Sequence, residues 1–237
     1  MTQLLISVKN LEESRIARYA NADVIDLKDP SVGALGALDA AVVSQIVQDV
    51  NRRVLLSATI GEGHATINAL THDIAFYDRI GVDVIKIAVS ELFLQTDFFS
   101  EIKQLTEQGI KIVAVFFAEK PLDFSLLIKL KGSGFYGAML DTQLKNTSLL
   151  ELQTIETLNR FIVTCSQHML ISGLAGSVNK THIDALLMLN PHFIGVRGGV
   201  CHQRDRVSVL VGGEVVEIKA MMLNHQNVLK SFETRLA

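Results

Sequence analysis

Residues 84–88 read Val84-Ile85-Lys86-Ile87-Ala88, a short apolar run of mainly β-branched residues that one lysine interrupts. Similar apolar runs recur along the chain, and each is followed by a segment with helical spacing. Near-continuous apolar runs are typical of strands that are buried on both faces of a parallel sheet. We therefore predict strands over residues 4–8, 22–28, 54–59, 83–89, 111–117, 137–142, 169–175 and 193–198.

The segments between the strands have the period of amphipathic helices. From Leu38 to Val50, apolar residues recur at three- and four-residue spacing, with polar residues on the opposite face. Residues 149–161 and 183–189 repeat this pattern, so we predict a helix over each. Glycines stand where three helices should end before the next strand; they are Gly81, Gly109 and Gly134.

The alternation of strands and helices predicts an α/β fold, a single-domain (β/α)8 TIM barrel over residues 1–237. Strand–helix–strand units are right-handed, and eight units of about 25–30 residues close economically into a barrel. The alternative is an open doubly wound sheet. Such a sheet usually has a GxGxxG turn after its first strand, and Lys9-Asn10-Leu11-Glu12 does not resemble that turn.

The composition excludes several classes of function. The chain is 49% hydrophobic with a formal net charge of −3, so it can bury a large core and offers no basic stripe to nucleic acid. Two cysteines without CxxC spacing, and seven histidines without HxH or HExxH spacing, predict neither a metal site nor a cofactor. No apolar stretch is long enough to span a membrane, and no signal peptide is recognisable, so we expect a cytoplasmic protein. We also expect a homo-oligomer, in which the apolar helix 215–223 serves either as an interface or as barrel packing.

Charged side chains interrupt the even-numbered strands near their C-terminal ends, where barrels of this class hold their active sites. Asp26 and Lys28 alternate onto one face of strand two, opposite Ile25 and Leu27. The further charged residues at these ends are Lys86 in strand four, Asp141 in strand six, Lys145 just after it, and Arg197 in strand eight. Alternate strands contribute the side chains of one interior layer, so we expect Lys28, Lys86, Asp141 and Arg197 to share a layer. One such residue is usually solvated or paired, but four together indicate a site, because buried charges without partners cost several kcal/mol.

The residue types at this predicted site favour lysine chemistry. A lysine attacks a carbonyl only when it is neutral, and both burial and a second nearby cation lower its pKa. Lys28 with Lys86 across the barrel would provide that environment. Asp26 and Asp141 could then move protons during imine and enamine formation. This set of residues is the one expected of a Schiff-base aldolase.

Two glycine-rich turns follow the last two predicted strands and suit a phosphate group. Barrels frequently bind phosphate here, because exposed backbone N–H groups and a helix N-terminus can face the anion. The predicted ligands are Gly176, Ser177, Arg197, Gly198 and Gly199. Glycine can also serve simply to turn the chain. A third glycine-containing segment, residues 31–38, either closes over the substrate or is a plain strand-to-helix loop.

Several ordered motifs resemble the (5-formylfuran-3-yl)methyl phosphate synthase family, also called 4-(hydroxymethyl)-2-furancarboxaldehyde phosphate synthase. The resemblance runs almost end to end and is carried by residues 22–30, 33–37, 56–61, 85–86, 139–142, 174–177 and 195–198. It implies a lyase of methanofuran biosynthesis that condenses two glyceraldehyde 3-phosphate molecules through a lysine imine, with loss of phosphate and water.

The resemblance also implies roles for individual residues. Lys28 is similar to the family's Schiff-base lysine, with Asp26 beside it. Lys86 and Asp141 are similar to its strand-four lysine and strand-six aspartate, and Lys145 resembles the lysine assigned to the second triose.

The chain departs from the archaeal pattern in residues 29–34, directly after Lys86 and in residues 143–146. With these departures it resembles a bacterial branch of the family that is tied to one-carbon metabolism. Two alternatives remain: a Schiff-base aldolase that releases its adduct without ring closure, and a non-catalytic barrel that binds a sugar phosphate.

Overall fold

The strands of the computed structural model, which describes residues 1–144 and 146–236 and side chains as far as residue 228, form a closed barrel. They are β1 (Gln3–Val8), β2 (Val24–Leu27), β3 (Leu55–Thr59), β4 (Val84–Ala88), β5 (Ile112–Phe117), β6 (Gly137–Asp141), β7 (Ile171–Leu174) and β8 (Phe193–Val196). All neighbours are parallel and follow sequence order, and β1 pairs with both β2 and β8. The predicted (β/α)8 barrel is confirmed, and each strand lies within one residue of its predicted run or inside it.

Helices follow the strands around the outside of the barrel. They are α1 (Leu11–Tyr19), α2 (Ala40–Val50), α3 (Ile67–Arg79), α4 (Phe98–Glu107), α5 (Phe124–Gly132), α6 (Leu149–Leu152), α7 (Ile155–Gln167), α8 (Ile183–Leu187) and α9 (Gly212–Leu236). The predicted helix ends are confirmed. For example, Gly81 has a φ of +100°, a left-handed conformation that glycine adopts without steric cost.

The prediction of one continuous helix over residues 149–161 was wrong, because the chain breaks between α6 and α7. Gln153 is extended, and its side chain donates a hydrogen bond to Ala118 O at 2.7 Å. Thr154 then caps α7 by accepting from Thr157 N at 3.2 Å. Apolar spacing continues across the break, so periodicity alone does not reveal it.

Alternation along each strand separates an outer core from the barrel interior. Ile25 and Leu27 belong to the large outer cluster against the helices, as predicted, which turns Asp26 and Lys28 inward. A smaller inner cluster fills the barrel with buried side chains from the strands, among them Val84, Val113, Val115, Phe117 and Met139. The N-terminal part of the interior is therefore apolar, and the polar side chains collect towards the C-terminal strand ends.

The segment between β2 and α2 folds over the barrel instead of projecting into solvent. Ala34 and Leu35 are buried in the inner cluster. Leu35 N donates to Glu62 Oε1 at 2.6 Å, and Gly36 O accepts from Asp29 N and from the Thr59 hydroxyl. This structure thus packs residues 34–36 against the barrel and leaves residues 31–33 exposed, and closure over a substrate stays a prediction.

The helix α9 packs one face on the barrel through Val215, Ile218 and Met222, which are buried. This confirms barrel packing for the apolar segment 215–223, whereas Val216 and Leu223 are exposed and an interface there stays a prediction. Among the residues described, no helix combines the length and apolar character that crossing a membrane requires.

Candidate active site

A cavity of about 240 Å³ opens at the C-terminal ends of the strands. Its floor and one wall are formed by charged residues that lie in, or directly after, β2, β4 and β6. The opposite wall comes from the turns after β7 and β8. The lining includes the predicted residues Asp26, Lys28, Lys86, Asp141, Gly176, Ser177, Arg197, Gly198 and Gly199.

The deeper part of the cavity holds an ion pair between Lys86 and Asp26. Lys86 Nζ lies 2.6 Å from Asp26 Oδ1, and the Asp26 side chain is 0% exposed. The hydroxyl of Ser57 donates to Oδ1 at 2.7 Å, and the hydroxyl of Ser7 donates to Oδ2 at 2.8 Å. All three of these partners are donors, so the two carboxylate oxygens act as acceptors. We call Lys86 and Asp26 the deep pair, and the two serines, Ser7 and Ser57, its clamp.

A second ion pair, here called the upper pair, joins Lys28 to Asp141. Lys28 Nζ lies 3.3 Å from Asp141 Oδ2, and both side chains are 7% exposed. Thr142 N donates to the other carboxylate oxygen at 2.7 Å, which fixes its orientation. The longer separation makes this contact looser than that of the deep pair. The carboxylate of Asp141 is thus fixed in orientation. The amine of Lys28 lies farther from its carboxylate than the amine of Lys86 does from Asp26.

Burial lowers the pKa of Lys86 below 10.5, and the nearby charge of Lys28 adds to this lowering. Asp26 and, more weakly, Asp141 act in the opposite direction. The environment that the sequence predicted, a buried lysine beside a second cation, is therefore present. Deprotonation of Lys86 is therefore easier than deprotonation of an exposed lysine.

The two glycine turns line the cavity, as predicted, but their glycines also meet packing requirements. Gly176 has a φ of +109°, and a Cβ there would lie 2.6 Å from Thr142 Cγ2. A Cβ on Gly199 would collide with Val178 O, so the turns after β7 and β8 pack against each other. Close packing thus accounts for glycine at both positions, and their binding of phosphate stays a prediction.

Arg197 lines the same cavity as the lysines, but its guanidinium is engaged by other groups of the protein. Its guanidinium pairs with Glu13, with Nη1–Oε2 at 2.5 Å and Nη2–Oε1 at 3.2 Å. Its remaining donors reach the backbone oxygens of Ser7, Arg206 and Ser208. With its five N–H groups used inside the protein, Arg197 stabilises the junction of β8 and β1, and this geometry does not support it as a phosphate ligand.

Sequence reasoning missed four polar residues of the cavity wall. Lys145, which it did predict, lies outside the described residues. The missed residues are Ser7, Asn179, Arg204 and Arg206. Ser7 carried a signal, since it is a polar residue in an apolar strand with inward parity. The two arginines carried little signal in the sequence, because they lie in a polar loop beyond β8. Just before residue 145, the backbone N–H groups of Gln143 and Leu144 donate to Glu119 at 3.0 and 2.9 Å.

No group of three or more His, Cys, Asp or Glu side chains is arranged to hold a metal ion in the described part of the chain. The thiol of Cys201 donates to Arg197 O at 3.2 Å, and burial raises its pKa to about 11. A thiol with so high a pKa is a poor nucleophile at neutral pH. Cys201 is therefore not a candidate nucleophile of this site.

Fold and site define the class as a (β/α)8-barrel enzyme with a buried lysine–carboxylate centre. The chain belongs to the 4-HFC-P synthase family, whose model matches residues 4–219. A Methylorubrum extorquens protein, provisionally named (5-formylfuran-3-yl)methyl phosphate synthase, is 38% identical over 92% of this chain and 91% of its own length. The (5-formylfuran-3-yl)methyl phosphate synthase of Methanococcus aeolicus is 31% identical over 90% of this chain and 96% of its own.

Solved structures with little sequence identity share the fold. The 3-hexulose-6-phosphate synthase of Salmonella typhimurium superposes with a TM-score of 0.67 at 14% identity, over 94% of this chain and 100% of that one. The phosphoribosyl anthranilate isomerase of Thermus thermophilus gives 0.66 at 10% identity, over 94% and 99%. These likenesses establish the barrel and carry no information on the reaction.

Proposed function

We propose that this protein is a lyase that condenses two molecules of glyceraldehyde 3-phosphate to (5-formylfuran-3-yl)methyl phosphate through an imine on Lys28. The observation that carries the proposal is the pair of lysines, each beside its own carboxylate, in one small cavity of a chain from this family. Atoms balance when one phosphate and two water molecules are released. The role fits methanofuran-type cofactor biosynthesis, as the family name implies.

Lys28 is the better nucleophile of the two lysines on geometry. Lys86 is held at 2.6 Å by a carboxylate that two hydroxyls fix, and it also borders the apolar interior below the cavity. Lys28 faces only the cavity and is bound at 3.3 Å. Transfer of its proton to Asp141 or to solvent frees the amine to attack the carbonyl carbon of a triose. Water leaves when the carbinolamine collapses to the imine.

The deep pair, Lys86 and Asp26, supplies the proton transfers that follow imine formation. An imine makes the neighbouring C–H bond acidic, and loss of that proton gives an enamine. The enamine carbon attacks the aldehyde of the second triose, whose oxygen must gain a proton in this step. Lys86, buried and with a lowered pKa, is placed to donate that proton, and Asp26 is placed to balance its charge. Lys145 is proposed, from the family resemblance, to hold the second triose.

Reduction of the enzyme with borohydride in the presence of glyceraldehyde 3-phosphate, followed by peptide mass mapping, tests the imine. We expect a reduced triose-phosphate adduct on Lys28 that Lys28→Ala loses and that Lys103→Ala, a change at an exposed lysine of α4, retains. Mass and ultraviolet spectra of the released product test the furan. An adduct without a furan product would identify an ordinary Schiff-base aldolase. No adduct and no product would leave a sugar-phosphate-binding barrel and overturn the proposal.

A further inference from the structure

The loop between β8 and α9 places two arginines on the cavity wall that the sequence did not single out. Arg206 is partly buried, and Arg204 is exposed at the rim. Neither forms an ion pair with any of the residues whose side chains the structure describes. This differs from Arg197 in the same loop, whose guanidinium is saturated by Glu13 and three backbone oxygens.

The guanidinium of Arg206 has donors to spare. Its Nη2 donates to Gly33 O at 2.7 Å, across the mouth of the barrel. No other hydrogen bond of this guanidinium is formed with the described residues. Burial lowers the pKa of Arg206, and the charge of Arg197 adds to this lowering, while Asp141, Glu62 and Asp29 oppose it from a distance. A partly desolvated cation that forms no ion pair with the described residues is stabilised by a bound anion.

The backbone of Arg206 is fixed beside one of the glycine turns. Arg206 O accepts from Arg197 Nε at 2.8 Å. A Cβ on Gly198 would lie 3.7 Å from Arg206 Cβ and 3.3 Å from Arg204 O. Arg197, anchored through Glu13, therefore holds the loop so that the Arg206 side chain starts next to Gly198 and reaches over the cavity.

We propose that Arg206 binds the phosphate group of a triose phosphate together with the glycine turns, with Arg204 at the rim and Arg197 as a positioning residue. The proposal rests on the proposed function for the identity of the phosphate ester. A planar guanidinium suits the bidentate contact that a phosphate accepts. Because Arg206 also donates to Gly33 O, occupation of this site is coupled to the position of residues 31–38, whose Ala34 and Leu35 belong to the inner cluster.

Binding of inorganic phosphate, measured by calorimetry and by the shift in melting temperature, tests the site without any turnover. We expect Arg206→Leu to weaken phosphate binding about tenfold or more, since a charge-assisted bidentate contact is lost. Arg206→Lys should fall between, because it keeps the charge and loses the planar fork. Arg79→Leu, at an exposed arginine ending α3, should bind like the wild type. A melting temperature near that of the wild type without ligand shows that a variant is folded.

Kinetics with glyceraldehyde 3-phosphate separates this proposal from the proposed function. We expect Arg206→Leu to raise KM about tenfold or more and to change kcat much less. Phosphate binding that depends on Arg206, in a protein that forms no furan product, would support this site and overturn the proposed function. Furan synthesis with equal phosphate affinity and KM in wild type and Arg206→Leu would overturn this site alone. Absence of phosphate binding by the wild type at millimolar concentration would also overturn it.

Discussion

The deep pair and the upper pair use the same residue types and differ in how firmly each is held. In the deep pair, Asp26 is fully buried, receives two serine hydroxyls and contacts Lys86 at 2.6 Å. In the upper pair, Lys28 contacts Asp141 at 3.3 Å on the open side of the cavity. The difference teaches that one cavity can hold the same two residue types with different firmness; under the proposed function, the clamped pair serves in proton transfer and the looser pair supplies the nucleophile.

The largest effect that would sharpen this contrast is expected on catalysis. Lys28→Ala should lower kcat/KM about 10³-fold or more, because the covalent route is lost. Lys86→Ala should also lower kcat while leaving a borohydride-reducible adduct on Lys28. The measurement is furan formation together with the mapped adduct. An adduct on Lys86 that persists in Lys28→Ala would exchange the roles of the two pairs.

The next effect concerns stability, and it should be larger for the deep pair. Lys86→Met leaves Asp26 buried without its counter-ion and should cost about 3–5 kcal/mol in the free energy of unfolding. The double variant Lys86→Met with Asp26→Leu should recover most of this loss, since neither charge then remains buried. Denaturant unfolding of both variants, with Lys28→Met as the comparison, gives the values. An equal loss for Lys28→Met would break the distinction between the pairs.

A smaller change is expected when one hydroxyl is removed from the clamp. Ser57→Ala deletes a hydrogen bond to a charged group and should lower the free energy of unfolding by about 1.5–3 kcal/mol. The fall in kcat should be larger than any change in KM, because the clamp positions Asp26 and does not face the phosphate. Ser57→Thr, which keeps the hydroxyl, is the matched control. If Thr is no better than Ala, the hydroxyl is not what fixes Asp26.

The smallest effect is a pH dependence of stability that Lys86 of the deep pair should produce. The folded-state pKa of Lys86 lies below its unfolded value of 10.5, so in the window between the two the unfolded chain binds more protons. Stability contributed by this group therefore rises with pH through that window and is least below the folded pKa. The wild type minus the Lys86→Met, Asp26→Leu double variant, compared in alkaline unfolding, isolates this contribution. A difference that falls with pH would contradict the lowered pKa.

Much of this molecule was readable from local pattern, and the exceptions have identifiable causes. The strands and the inward direction of Asp26, Lys28, Lys86 and Asp141 follow from apolar runs and alternation. The helix break at Gln153 was not predicted, because apolar spacing continues across it. The hydrogen bond from the Gln153 side chain to Ala118 O forms only in the folded chain. The position of Arg206 at the cavity was not predicted, because no strand or helix period applies to the loop in which it lies.

The sequence by itself determined the barrel and which charged residues enter it, because apolar periodicity fixes which face of each strand is buried. Only the tertiary structure decided the partners. Asp26 stands two residues from Lys28 in the chain yet pairs with Lys86, whereas Lys28 pairs with Asp141, 113 residues away. Likewise, Glu13 of α1 pairs with the guanidinium of Arg197, whereas the guanidinium of Arg206 donates to Gly33 O across the mouth of the barrel. Residues two apart on a strand point the same way at different depths, so closure of the barrel selects each ion pair by depth and not by sequence distance.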